Sequence, residues 1–157
     1  MRIMLVGHGR CGKDTSGEYL ASVTGLRFAG TTSKYLAKYV ARQLGRDEAD
    51  VYQTRHADRD TWHRIGKQVR ASNPGVLIRE SLADGQIIGG VRDHEEIVYA
   101  KSVVDLIIWV DNNRVPIDPT VEFTSRECDV VIQNHWSLDE LHHRLDRLAK
   151  SLNIFRG

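Results

Sequence analysis

The sequence predicts an α/β protein, a five-stranded, doubly wound parallel sheet flanked by helices. Three observations carry that reading. Apolar runs of strand length alternate with longer segments of helical period, and no low-complexity linker divides them. The first run is followed at once by a glycine, four residues, a second glycine and a lysine, Gly7 to Lys13, the spacing of a phosphate-binding loop between a strand and a helix. The residues that follow the apolar runs are polar and include arginines at separated points, as expected of a ligand rim at the carboxyl ends of parallel strands.

Each element follows from its own signals. Ile3 to Val6 is a first strand, short and apolar as a strand buried on both faces should be. After the glycine loop a helix runs from about Lys13 to Val23. Leu26 to Ala29 reads as a second strand. A helix from about Ser33 to Leu44 follows, its Tyr35, Leu36, Tyr39, Val40 and Leu44 on one broad face and Gly45 at its stop. Asp47 to Leu82 reads as helices broken near Asn73-Pro74, where proline disfavours helix in the residue before it. Gln86 to Gly90 and Leu106 to Val110 are core strands, and Cys128 to Ile132 is the last. Ser137-Leu-Asp-Glu140 has the form of a capping box. It opens a final helix with Leu138, Leu141, Leu145, Leu148 and Leu152 on the sheet-facing side.

Composition narrows the function classes. A chain of 157 residues reads as one domain, long enough to bury a core without staples. Its 41% hydrophobic and 27% charged residues are those of a soluble globular protein. A formal charge of +1 gives no general attraction to nucleic acid or membrane, so positive potential must be local, as in a site for small anions. Cys11 and Cys128 lie far apart, which argues against a zinc site or disulfide framework and suits a reducing cytoplasm. The apolar stretch at the amino terminus is too short for a signal peptide or membrane span. The expectation is a cytoplasmic protein.

The loop has its own physical logic. Gly7 and Gly12 permit backbone conformations closed to other residues. Successive amides across Gly9, Arg10, Cys11 and Gly12 can therefore point at phosphate oxygens while the next helix offers its positive end. Lys13 then reaches the outer phosphates. The Cys11 side chain reads as a tolerated loop residue. Asp14 stands where a serine or threonine is usual. It has two readings: an acidic residue favoured by the helix dipole, or a carboxylate approaching Mg²⁺ through water. Thr15 is then the hydroxyl for a phosphate oxygen or the metal shell.

Four stretches, "GRCGKDTSGEYL", "DRDTWHRIGKQVRASNPGVLIRESL", "QIIGGVRDHEEI" and "CDVVIQNHWSLDELHHRL", together resemble, in that order, the deoxynucleoside monophosphate kinases of bacteriophages, members of the P-loop nucleotide-kinase superfamily. The resemblance covers most of the chain. It implies the P-loop kinase fold with a short lid, ATP and Mg²⁺, and transfer of a phosphoryl group to a nucleoside monophosphate in the cytoplasm, that of the host if the protein is phage-encoded. A homodimer would fit many such relatives. The phosphate acceptor is itself an anion, so the protein's task is positioning and charge neutralisation. Lys13 serves ATP, and Arg92, in "GGVRD", is expected to grip the acceptor phosphate with its fork. Arg59 and Arg70, eleven residues apart and able to share a helical face, join the acceptor site, with Trp62 read either as core or as a base platform and Arg64 a further cation. Ser33 and Lys34 are expected in the same pocket. Asp93 is either a helix cap with Glu96 or a support for the metal. The segment from Asn112 to Arg126 resembles the lid, with Arg114 on ATP and Arg126 or Arg114 stabilising the transferring phosphate. Asn134 is either an adenine contact or a turn residue, and His142 and His143 read as exposed. Two alternatives stand beside this reading: another small-molecule kinase, such as one acting on dephospho-coenzyme A, or a nucleotide-binding module without an acceptor.

Overall fold

The computed structural model describes residues 1–157. Its strands are β1 (Ile3–Val6), β2 (Phe28–Thr31), β3 (Ile87–Gly89), β4 (Leu106–Asp111) and β5 (Val130–Gln133). They form one parallel sheet in the order β2-β3-β1-β4-β5. The helices are α1 (Lys13–Thr24), α2 (Thr32–Leu44), α3 (Glu48–Gln53), α4 (Arg59–Ser72), α5 (Val76–Asp84), α6 (His94–Val103) and α7 (Leu138–Ser151), with short 3₁₀ turns at Arg55–Ala57 and Ser125–Glu127. None is long and apolar enough to cross a membrane.

The central strand explains the layering. Side chains alternate across a strand, and all four residues of β1 are buried. Ile3 and Leu5 join Leu20 of α1 and Leu141 and Leu145 of α7 on one face. Met4 and Val6 join Ile78 of α5 and Ile97 of α6 on the other. A third core, built from Leu36, Val40, Val51, Trp62, Ile65 and Leu77, ties α2 to α3, α4 and α5. That helical layer forms one wall of the cleft at the carboxyl ends of the strands.

Several boundaries differ from the sequence expectation, for physical reasons. The second strand lies at Phe28–Thr31 rather than Leu26–Ala29, because pairing with β3 sets it: Phe28 is level with Ile87 and Thr31 with Gly89. The last strand begins at Val130, since Cys128 ends the 3₁₀ turn and the Asp129 carboxylate accepts the Ile107 amide at 2.7 Å. The helices break at Asn73-Pro74 as expected, but also at Thr54–Asp58, where the 3₁₀ turn has no glycine or proline to announce it. Only half of the predicted box at Ser137 forms. Ser137 Oγ accepts the Glu140 amide at 3.2 Å, but the Glu140 carboxylate pairs with Arg144 at 3.0 Å. A full capping box does form at Asp93 and Glu96, opening α6.

Candidate active site

The glycine loop adopts the geometry its sequence requires. Gly7 has φ +149° and Gly12 φ +104°, and Arg10 between them has φ +62°. A side chain at Gly7 would sit 2.6 Å from the Val110 carbonyl, so the loop lies tight against the end of β4. Lys13 Nζ donates to the carbonyls of Gly7 at 3.2 Å and His8 at 2.9 Å. Cys11 is buried beneath the loop, with Sγ 3.6 Å from Lys13 Nζ. Burial pushes its thiol pKa up, partly offset by the Lys13 charge. Asn134 is a brace for the loop, its Nδ2 donating to the Cys11 carbonyl at 2.9 Å. A Cβ at Gly12 would stand 2.5 Å from that Nδ2. Gly12→Ala should therefore lose stability through both strain and collision, by about 1–3 kcal/mol, and lose nucleotide binding. Thermal melts and ATP titration of the variant check this, and native values for both would show that the loop yields freely.

Facing the loop across the cleft are Thr31, Thr32 and Ser33 at the end of β2, Arg55 and His56 of the 3₁₀ turn, and Arg59, Trp62, His63 and Arg70 of α4. Leu36, Gly90, Arg92, Asp118 and Thr120 complete the lining, and the loop contributes Gly9, Arg10, Lys13 and Asp14. Six fixed cations (Arg10, Lys13, Arg55, Arg59, Arg70 and Arg92) thus stand against two carboxylates, Asp14 and Asp118. Such a concave, net-positive site attracts negative charge. The field also reaches His56, whose pKa is lowered by burial and by Arg55, Arg59 and Arg10.

Two of these arginines are held from behind. Arg70 is buried, and its Nε donates to Glu96 Oε1 at 2.9 Å. The fully buried Glu96 also accepts the Arg92 amide at 3.1 Å and the Asp93 amide at 3.3 Å through Oε2. One carboxylate thereby fixes both the Arg70 guanidinium and the backbone that carries Arg92. Burial pushes the Glu96 pKa up, with Arg70 pulling the other way. Arg92 Nη1 donates to Asp118 Oδ2 and to Thr120 Oγ1, each at 2.6 Å. Asp118 is held well below the usual carboxylate range. Burial raises its pKa, but hydrogen bonds from Thr120 and Arg92 more than offset this.

The structure brings Gly9, Arg10, Lys13, Asp14, Ser33, Arg59, Trp62, Arg70 and Arg92 to this one cleft, with Cys11 and Gly12 in the loop behind it. Trp62 belongs to the helical core and also lines the cleft. Other expected residues fall elsewhere. Lys34 is exposed, its ammonium 5.7 Å from the centre of the Tyr35 ring. Thr15 is exposed on α1 outside the lining. Arg64 is absent from the lining, while Lys67 pairs with Glu122 and lies 3.3 Å from Asp93. Arg114 is tied to Asn112 Oδ1 and to the Trp136 carbonyl at 3.1 Å, clamping the end of β4 to the start of α7. Arg126 lies in a separate hollow with Lys101, Asp105 and Asp129, beside the amino ends of β4 and β5, and not over the loop. His142 is half-buried and stacked on Tyr19, with ring centres 3.7 Å apart, whereas His143 is exposed. Sequence reasoning missed Arg55, His56, His63, Asp118 and Thr120. A signal existed for the last two: Asp-Pro-Thr forms a side-chain turn in which Asp118 Oδ1 accepts the Thr120 amide at 3.0 Å.

A parallel sheet in this order, with a glycine-rich phosphate loop after its first strand and a cationic cleft beyond it, is the P-loop kinase fold. Solved structures similar to the chain include shikimate kinase from Bacteroides thetaiotaomicron, with a TM-score of 0.57 at 11% identity, covering 98% of both chains. Shikimate kinase from Aquifex aeolicus aligns with a TM-score of 0.53 at 16% identity, over 98% of this chain and 96% of that one. Shikimate kinase from Acinetobacter baumannii in complex with shikimate gives 0.54 at 13% identity, over 97% and 93%. What these proteins share with the chain is the fold. No protein-family model and no curated protein matches its sequence.

Proposed function

We propose that the protein is an ATP-dependent kinase whose acceptor is a phosphate, that of a deoxynucleoside monophosphate. The observation that carries the choice of acceptor is the set of arginines that faces the phosphate loop across the cleft. A phosphate acceptor is already ionised and asks only for cations, which Arg59, Arg70 and Arg92 supply.

In this reading the loop amides and Lys13 hold the ATP phosphates, and Arg92 and Arg70 hold the acceptor phosphate in line with them. Trp62 and the hydroxyls of Thr32 and Ser33 border the acceptor's nucleoside. Mg²⁺ fits the donor set, since the cleft offers the hard carboxylate oxygens of Asp14. Asp14 would then support the ion through water. When bound, Mg²⁺ supplies neutralisation of the ATP phosphates.

The test is ADP release from ATP across the deoxynucleoside monophosphates, shikimate and dephospho-coenzyme A. Stimulation by one or more of the monophosphates is expected. Stimulation by shikimate or dephospho-coenzyme A alone would replace the acceptor, and stimulation by none would leave a nucleotide-binding module. Arg92→Ala should lower kcat/KM for the monophosphate about a hundredfold while ATP affinity without acceptor stays constant. Arg92→Lys should recover only part of the loss, since it restores the charge without the fork. Loss of ATP binding in the alanine variant would reverse the assignment of the two substrates.

A further inference from the structure

The strap between β4 and β5 enters the cleft through Asp118. Its Oδ2 accepts from Arg92 Nη1 at 2.6 Å, and the same nitrogen donates to Thr120 Oγ1 at 2.6 Å. Thr120 Oγ1 in turn donates to Asp118 Oδ1 at 2.7 Å. Both hydrogens of Nη1 are therefore used within the chain. The backbone pins the strap on either side of this contact. The Asp118 amide donates to His8 Nδ1 at 3.1 Å, and the Glu122 amide donates to the Arg92 carbonyl at 2.8 Å. Asp118 Oδ2 also lies 3.2 Å from the position of a Cβ on Gly9. A carboxylate thus stands between the phosphate loop and Arg92, where a phosphoryl group passing from donor to acceptor would travel.

We propose that Asp118 is a resident ligand of Arg92, a latch that any anion using the Nη1 edge of that guanidinium must displace as it binds. The inference rests on the reading of Arg92 as the acceptor-phosphate group. The latch is an intramolecular competitor. It raises the apparent Kd of every such anion by the inverse of the fraction of molecules with Arg92 free, so a latch closed about nine-tenths of the time raises Kd about tenfold. Asp118 serves here as an occupant of the site and takes no proton. Its neighbour Thr120 orients it, closing a three-membered circuit of hydrogen bonds with Arg92.

A double-mutant cycle read by titration of inorganic phosphate at about pH 8 tests the latch. Asp118→Asn keeps the backbone bond to His8 and an oxygen for Thr120 while removing the charge. It should tighten phosphate binding about tenfold relative to the native protein. In an Arg92→Ala background the same substitution should change the affinity by less than about twofold, because there is no longer a guanidinium to unmask. Equal tightening in both backgrounds would make Asp118 a bystander charge, and no tightening would remove it from the site. Either result overturns the latch while leaving Arg92 as the acceptor group, provided Arg92→Ala still weakens phosphate binding in the Asp118→Asn protein. If it does not, the acceptor assignment itself fails.

Discussion

Lys13→Met should lower the rate of phosphoryl transfer about a thousandfold while the protein stays folded. The ammonium is held by two carbonyls, at 2.9 Å and 3.2 Å, and no carboxylate pairs with it. Its positive charge is therefore unneutralised within the loop. Methionine keeps the length and apolar body of the side chain but removes the charge that stabilises the transferring phosphate, a change worth about 3–4 kcal/mol when a charge-stabilising donor is lost from a preorganised site. The structural cost is the loss of two partly buried hydrogen bonds, about 1 kcal/mol, or about 3 °C in Tm. Rate and melting temperature should thus separate, and a coupled ADP assay beside a thermal melt measures both. A variant that melts as expected but turns over at the native rate would take the loop out of the chemistry.

How far this site could be read from the sequence depends on where each residue's partners lie. The loop was legible because its function is local. Gly7, Gly12 and Lys13 act through backbone conformations and distances fixed within a few residues. The strands of the sheet were legible where burial on both faces gave an unbroken apolar run, as at Ile3–Val6. They were misplaced where a partner strand sets the ends, as at Phe28–Thr31, which ends on Gly30 and on Thr31 at the edge of the cleft.

The acceptor wall shows the limit more sharply. Helical spacing allows Arg59 and Arg70 to share one face, the family resemblance pointed to both as acceptor-site residues, and both line the cleft. Arg64 and Lys67 share that helix and its charge, yet the lining excludes both, and the fold spends Lys67 on Glu122 and Asp93. Nothing in the local sequence separates these fates, since they are decided by which carboxylates α6 and the strap bring up against α4. Arg114 and Arg126 were misassigned for a related reason. A loop rich in polar residues and proline does not reveal which way it crosses the sheet. The strap carries Asp118, and not an arginine, to the phosphate loop. Arg126 lies at the far end of the strands.

Removing Arg70 should be the most damaging single change to stability. Its guanidinium is buried beside a carboxylate that has no access to water. Helix α4 is shaped to admit it: a Cβ at Gly66, one turn earlier, would lie 2.6 Å from Arg70 Nη1. Arg70→Ala leaves Glu96 buried without its cation, which costs about 3–5 kcal/mol, or about 10 °C in Tm for a domain of this size. The deficit should depend on pH with a definite sign. Burial already raises the Glu96 pKa in the folded protein, and Arg70 is the main group opposing the rise. Without Arg70 the folded pKa moves further above the unfolded value of about 4.3. Below that unfolded value Glu96 is protonated in both states, and the penalty vanishes. As pH rises the unfolded chain ionises first, so stability is lost progressively until the folded pKa is passed. Denaturant melts at about pH 5 and pH 8 should therefore show the smaller deficit at pH 5. Arg70→Met combined with Glu96→Leu removes both charges and fills the space with apolar atoms, so it should recover most of the stability at pH 8. It should not recover use of the phosphate acceptor, because the cation and the anchor of the Arg92 backbone are both gone. A deficit that is the same at both pH values, with a double variant no more stable than Arg70→Ala, would show that the pair contributes packing alone.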